Sequence, residues 1–134
     1  MKIDGACHCG NVAFEAEIDE DKVIVCHCTD CQILSGSAFR TVAFAPDSSF
    51  RLLRGEMKVY VKTAESGNKR EQTFCPECGS PVYSTSPGDG PKLLGLRVGA
   101  IQQRDRLKPS KQIWCGSAQD WVRELGSVPK VEKQ

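Results

Sequence analysis

With 134 residues, 40% of them hydrophobic and 26% charged, the chain has the size and mix of one soluble globular domain spanning residues 1–134, with a solvated tail from about Pro129. The formal net charge is +1 and the Lys and Arg residues are scattered, which argues against a nucleic-acid partner and against an electrostatic membrane anchor. No segment approaches the roughly 18 consecutive apolar residues of a membrane span, and Met1 to Gly5 has no apolar run to serve as a signal peptide, so a cytoplasmic protein is expected.

The elements are mostly of period two. Val12, Phe14, Ala16 and Ile18 alternate with Ala13, Glu15 and Glu17, which predicts a strand with one buried face. Lys22 to Cys26, Ala38 to Ala45 and Ser49 to Leu53 are further strand candidates. Met57, Val59 and Val61 alternate with Lys58, Tyr60 and Lys62 and again predict one buried face. Glu71 to Phe74 and Leu93 to Ala100 follow. Turn signals separate these runs, among them Ala45-Pro46-Asp47, Arg54-Gly55, Ser66-Gly67-Asn68 and Pro87 to Pro91. Many short strands with such punctuation predict an all-β assembly of antiparallel sheets with little helix. Two short helical turns are expected, one opened by a capping box at Thr29-Asp30-Cys31-Gln32 and one over Asp120 to Leu125.

The eight cysteines carry the chemistry. Three groups stand out: Cys7-His8-Cys9, Cys26-His27-Cys28-Thr29-Asp30-Cys31, and Cys75-Pro76-Glu77-Cys78-Gly79. In the cytosol, grouped cysteines signal metal or redox chemistry rather than disulfides. On an extended strand residues i and i+2 face one side, so Cys7 and Cys9 can share an ion while His8 points away, and Cys26 and Cys28 likewise turn His27 aside. Cys75-x-x-Cys78 is a knuckle closed by Gly79, a position suited to positive φ. Thiolates select zinc, and structural sites take four ligands. Cys26, Cys28 and Cys31 are local and form one cluster, leaving Cys7, Cys9, Cys75 and Cys78 to form the other. Two zinc ions per chain follow, the four-cysteine site structural and the three-cysteine site open.

Three protein ligands leave a fourth zinc position for a reactant. Three thiolates and one Zn²⁺ sum to a negative centre, a poor Lewis acid for water but a fitting holder for an incoming thiol. Cys31 in a helical first turn would add favourable field. The competing expectation is that Cys115 supplies a fourth ligand and closes this site, giving a non-catalytic zinc-stabilised binding module. The plain reading of Cys115 is a small buried apolar residue.

Cys7-x-Cys9-Gly10, Cys26-His27-Cys28-x-x-Cys31, Gly36-Ser37 and Phe74-Cys75-x-x-Cys78-Gly79 together resemble the glutathione-dependent formaldehyde-activating enzyme family, which also contains centromere protein V. The resemblance runs from about Gly5 to Trp121. It implies the zinc-bearing β-tent fold shared with methionine sulfoxide reductase B and a Rab-binding exchange-factor family. It implies a structural zinc on Cys7, Cys9, Cys75 and Cys78, and a catalytic zinc on Cys26, Cys28 and Cys31. The implied activity is that of a carbon–sulfur lyase, the reversible joining of formaldehyde and glutathione into S-hydroxymethylglutathione, with glutathione as the small-molecule partner. The stretch Ile113 to Trp121 resembles the family's closing strand, but Gln112 stands where the family commonly has His, and Cys115 matches no usual ligand. His27, Asp30 and Arg40 are the nearby candidates for proton handling, and Trp121 is a candidate pocket wall. A redox repair reading, with Cys115 as nucleophile, fits the compact cysteine triple poorly.

Overall fold

A computed structural model describes residues 1–134. Ten strands make two sheets. The smaller has β1 (Lys2–Ala6), β2 (Ala13–Glu17) and β5 (Arg51–Arg54) in the order β1-β2-β5. The larger is seven-stranded. It is built from β3 (Ile24–Cys26), β4 (Arg40–Pro46), β6 (Lys58–Thr63), β7 (Lys69–Phe74), β8 (Pro81–Thr85), β9 (Leu93–Arg97) and β10 (Lys111–Ile113), in the order β10-β3-β4-β9-β8-β7-β6. The fold is all-β, as expected. Every pairing is antiparallel except β10 with β3, which run parallel from Lys111 beside Ile24 to Ile113 beside Cys26. The single α-helix is α1 (Thr29–Ser35), and Asp120–Ser127 forms a 3-10 segment.

The core lies between the two sheets. Val12, Phe14, Ala16 and Ile18, the alternating set of the first predicted strand, are all buried, and they meet Ala43, Ala45, Leu94, Leu96 and Val82 from the larger sheet. Phe14 stacks on Phe50 with ring centroids 5.4 Å apart. Burial at roughly 25 cal/mol per Å² of apolar surface makes this layer the main source of stability.

The other alternating segment behaves differently. β6 is the outer edge of the larger sheet, and Val59, Tyr60 and Val61 are all about half exposed. Its period-two pattern matches a strand but not a buried face, because no second layer covers that end.

What positions the site is the two-sidedness of β4 and β9. Along β4, Ala43 and Ala45 point into the core while Arg40, Val42 and Phe44 face a cavity on the opposite side; along β9, Leu94 and Leu96 face the core while Gly95 and Arg97 face the cavity.

Candidate metal centres and the pocket between them and the sheet

The first cysteine cluster is made by turns. Cys7 and Cys9 lie in the β1–β2 turn, where the Gly10 N–H donates to Cys7 O at 3.1 Å and the Cys7 N–H to Val12 O at 3.0 Å. This corrects the extended geometry expected for Cys7-His8-Cys9; a turn, not strand alternation, brings the two sulfurs together. Cys75 and Cys78 come from the β7–β8 turn, where Gly79 has φ 76°, the positive value its place after the knuckle calls for. The four Sγ atoms lie within 4.8 Å of one another. Cys7 Sγ is 3.6 Å from Cys9 Sγ, and Cys9 Sγ is 3.9 Å from Cys75 Sγ. Tetrahedral zinc with Zn–S near 2.3 Å requires sulfurs about 3.8 Å apart, so the donor set fits that ion. The Val12 N–H donates to Cys7 Sγ at 3.2 Å. The Cys78 thiol is held down at about 5, first by the Ser80 hydroxyl and then by the amides of Cys9 and Ser80, so it enters the cluster as a thiolate.

The second cluster is Cys26, Cys28 and Cys31, again with all sulfurs within 4.8 Å. Cys26 ends β3, and Cys28 caps α1: its Sγ accepts the Cys31 N–H at 3.3 Å. The cap is therefore one residue earlier than the capping box at Thr29 predicted. A thiolate can take the place of the usual hydroxyl or carboxylate because it accepts from the same orphan amide. Gln32 does not reach back to the helix start as a capping-box residue would. Its Nε2 donates to His27 O at 2.8 Å and to Ser117 O at 2.9 Å, which staples α1 to the segment after β10. The hydrogen bond between Cys26 and Cys31 lowers the Cys26 thiol and raises that of Cys31, so of these two Cys26 ionises first.

No fourth cysteine, histidine or carboxylate joins this cluster. Cys115 is exposed and outside it, which overturns both its expected burial and the proposal that it closes the site. A cavity of about 600 Å³ opens beside the three sulfurs, within the range of small-molecule sites. Arg40, Gln72 and Arg97 form its buried floor; Ile24, Val42, Phe44 and Ile113 supply apolar wall; Trp114 stands at the rim.

Of the candidates for proton handling, His27 is turned away. It is buried against Phe39, and its Nε2–H donates to Gln112 Oε1 at 2.7 Å, outside the cavity. Gln112, the position that departs from the family pattern, is thus the partner that fixes the His27 ring. Asp30 lines the cavity and accepts from Lys62 Nζ at 2.7 Å, and Arg40 lies in the floor. Trp121 lines only a shallow groove with Gln119 and Gly36; the tryptophan at the cavity is Trp114. It is the one non-glycine residue with positive φ, at 56°, a conformation that costs on the order of 1–3 kcal/mol and persists only where neighbours impose it. Ser117 imposes it here, since its N–H and hydroxyl both donate to Trp114 O and the hydroxyl also reaches His27 O.

Lys62, Gln72, Arg97 and Trp114 were not singled out from the sequence. Arg97 had a signal: it is a lone charge in the apolar run Leu93 to Val98, two residues from Gly95. The other three come from elements whose placement depends on sheet order.

An all-β molecule with a four-thiol cluster bridging two sheets and a three-thiol cluster in the wall of a cavity defines a class of two-centre cysteine proteins. The chain belongs to the glutathione-dependent formaldehyde-activating enzyme family, whose model matches residues 2–117. It is 31% identical over 80 residues to an uncharacterized lyase of Schizosaccharomyces pombe; the match covers 60% of this chain and 55% of that protein's length. In fold it is similar to a crystal structure of a Rhodobacter sphaeroides protein, with a TM-score of 0.61 at 23% identity over 81% of this chain and 98% of that one.

Proposed function

We propose that this protein is a zinc-dependent carbon–sulfur lyase acting on a small thiol adduct, nominally S-hydroxymethylglutathione and its parts, glutathione and formaldehyde. Cys7, Cys9, Cys75 and Cys78 hold a structural zinc; Cys26, Cys28 and Cys31 hold the catalytic one. The observation that carries the reading is the three-thiol cluster facing a cavity where a fourth side chain would otherwise close it. Family membership and the lyase of S. pombe support it.

A zinc ion on three thiolates supplies a coordination place at which a thiol is held ionised near neutral pH. In the synthetic direction the thiol loses its proton, the sulfur forms a bond to the carbonyl carbon, and the carbonyl oxygen takes a proton; the reverse breaks the same C–S bond and expels the thiolate. The chain's own part is positioning and proton exchange. Ile24, Val42, Phe44 and Ile113 exclude water on one side of the reacting carbon. Lys62, held by Asp30, presents an ammonium group on the cavity wall, placed to hydrogen-bond the oxygen as charge develops on it and to return a proton.

Exchange of formaldehyde between free and glutathione-bound pools, followed by two-dimensional exchange NMR, tests the proposal. The expected result is faster exchange with the wild-type protein and the uncatalysed rate with Cys28→Ser; identical rates for wild type, variant and buffer would sink it.

A further inference from the structure

Arg40 and Arg97 are both more than nine-tenths buried in the cavity floor. Neither has a carboxylate partner: none of the four ion pairs of the molecule includes either residue. They share one neutral acceptor, Gln72 Oε1, which takes Arg97 Nη2 at 2.9 Å and Arg40 Nη1 at 3.3 Å. The Nε atoms of both are buried without any partner. A third arginine, Arg70, lines the same cavity and bonds only to the hydroxyls of Ser84 and Ser86. Burying one unpaired charge costs several kcal/mol, and guanidinium groups do not escape by losing the proton. Burial and the adjacent Arg40 charge bring Arg97 down only to about 9, so it remains a cation at neutral pH.

The cysteine centre offsets only part of this charge. Three thiolates, a divalent ion and one bound substrate thiolate carry two negative charges against three unpaired arginines. One positive charge is left over, and it sits where two planar donor forks converge on a single amide oxygen. Of the other charged groups on the lining, Lys62 and Asp30 cancel each other, and Glu65 is exposed to solvent and forms no ion pair with any of the three arginines.

We propose that Arg40 and Arg97, oriented by Gln72, form a carboxylate site, so that the cavity takes thiols bearing a carboxylate and binds them at two ends. The sulfur end rests on the function proposed above; the carboxylate end does not. A carboxylate matches the leftover charge and accepts from guanidinium forks in pairs. Arg40 lies directly across from Cys26 in the β3–β4 ladder, and side chains opposite one another in a ladder start about 5 Å apart, so one small molecule spans both ends.

Calorimetric titration of the metal-bearing protein with 3-mercaptopropionate, its amide 3-mercaptopropionamide, and propionate tests this. The acid is expected to bind at least about tenfold more tightly than the amide, the size of one charge-assisted hydrogen bond. Arg97→Gln is expected to erase that preference by weakening the acid far more than the amide, and Arg97→Lys to restore part of it. Equal binding of acid and amide by the wild type, which needs no variant to fold, would overturn the carboxylate site. So would a preference that survives both Arg97→Gln and Arg40→Gln. Binding of both thiols equally, and of propionate not at all, overturns this inference and leaves the thiol reading intact. Propionate binding as tightly as 3-mercaptopropionate, with loss in Arg97→Gln, supports the carboxylate site and removes the thiol reading instead.

Discussion

The two cysteine clusters use the same atom type for opposite ends. The four-thiol cluster joins the β1–β2 turn to the β7–β8 turn, and so links the smaller sheet to the larger; Cys7 and Cys75 are part of the core itself. The three-thiol cluster is contained in one short stretch, from the end of β3 into α1, and it closes no long loop. The first is complete with four sulfurs, while the second has three and borders the unpaired arginines of the cavity floor. The contrast teaches that sequence separation between ligands decides whether a thiol cluster contributes to folding, and vacancy decides whether it contributes to chemistry.

The sharpest way to break this comparison is to remove one sulfur from each. Cys75→Ser should abolish the folded state at room temperature. A structural zinc contributes about 10–16 kcal/mol in small domains, comparable to the whole 5–15 kcal/mol of a typical fold, and Cys75 is completely buried. The circular-dichroism melt should lose its cooperative transition. Cys28→Ser should do far less to stability. Serine keeps the N-cap of α1, since its hydroxyl accepts the Cys31 N–H that Cys28 Sγ now takes. That variant should melt cooperatively, within a few degrees of the wild type, with about one metal equivalent lost by atomic spectroscopy and no lyase activity. If the two variants melted alike, the division into structural and open centres would be wrong.

Much of this contrast is legible in the sequence, for physical reasons that also mark its limit. Cysteine spacing groups the ligands because a chain of two or three residues cannot separate two sulfurs by more than a metal's reach. The face of β2 is legible because burial on one side of a strand forces alternation. The same alternation misleads at β6, where Val59 and Val61 lie on an uncovered sheet edge; nothing local says which strand ends up outermost. His27 is a candidate proton carrier by proximity to Cys26, yet the alternation legible in the sequence turns it to the other face, and what the sequence does not show is its partner there, Gln112 from a strand more than eighty residues later. Arg97 and Gln72 reach the cavity through the order β4-β9-β8-β7, which no motif encodes.

The His27–Gln112 pair gives a prediction of intermediate size that sharpens the comparison from outside both clusters. Gln112→Ala leaves a buried imidazole whose Nδ1 already lacks a partner with no partner at Nε2 either. An unsatisfied buried polar group costs about 1–3 kcal/mol, so a drop of several degrees in melting temperature is expected. Metal content and the Michaelis constant for the thiol should stay as in the wild type, because the pair lies outside the cavity. A large fall in catalysis at unchanged stability would put His27 back among the reacting groups.

The smallest effect is expected at Cys115, and its smallness is what makes it informative. Cys115 is exposed, it follows Trp114 at the cavity rim, and it lies outside both sulfur clusters. Cys115→Ser should change stability by no more than about 0.5 kcal/mol, as for an ordinary surface substitution. Metal content should stay constant, and the affinity for thiol should not move. A cysteine acting as fourth ligand would behave differently: its loss would weaken the second metal and, by opening the centre, raise thiol binding. A redox nucleophile would differ again, with activity abolished while both metals stayed. Metal analysis and thiol titration on this one variant therefore separate an open centre from a closed one without disturbing the three sulfurs that define it.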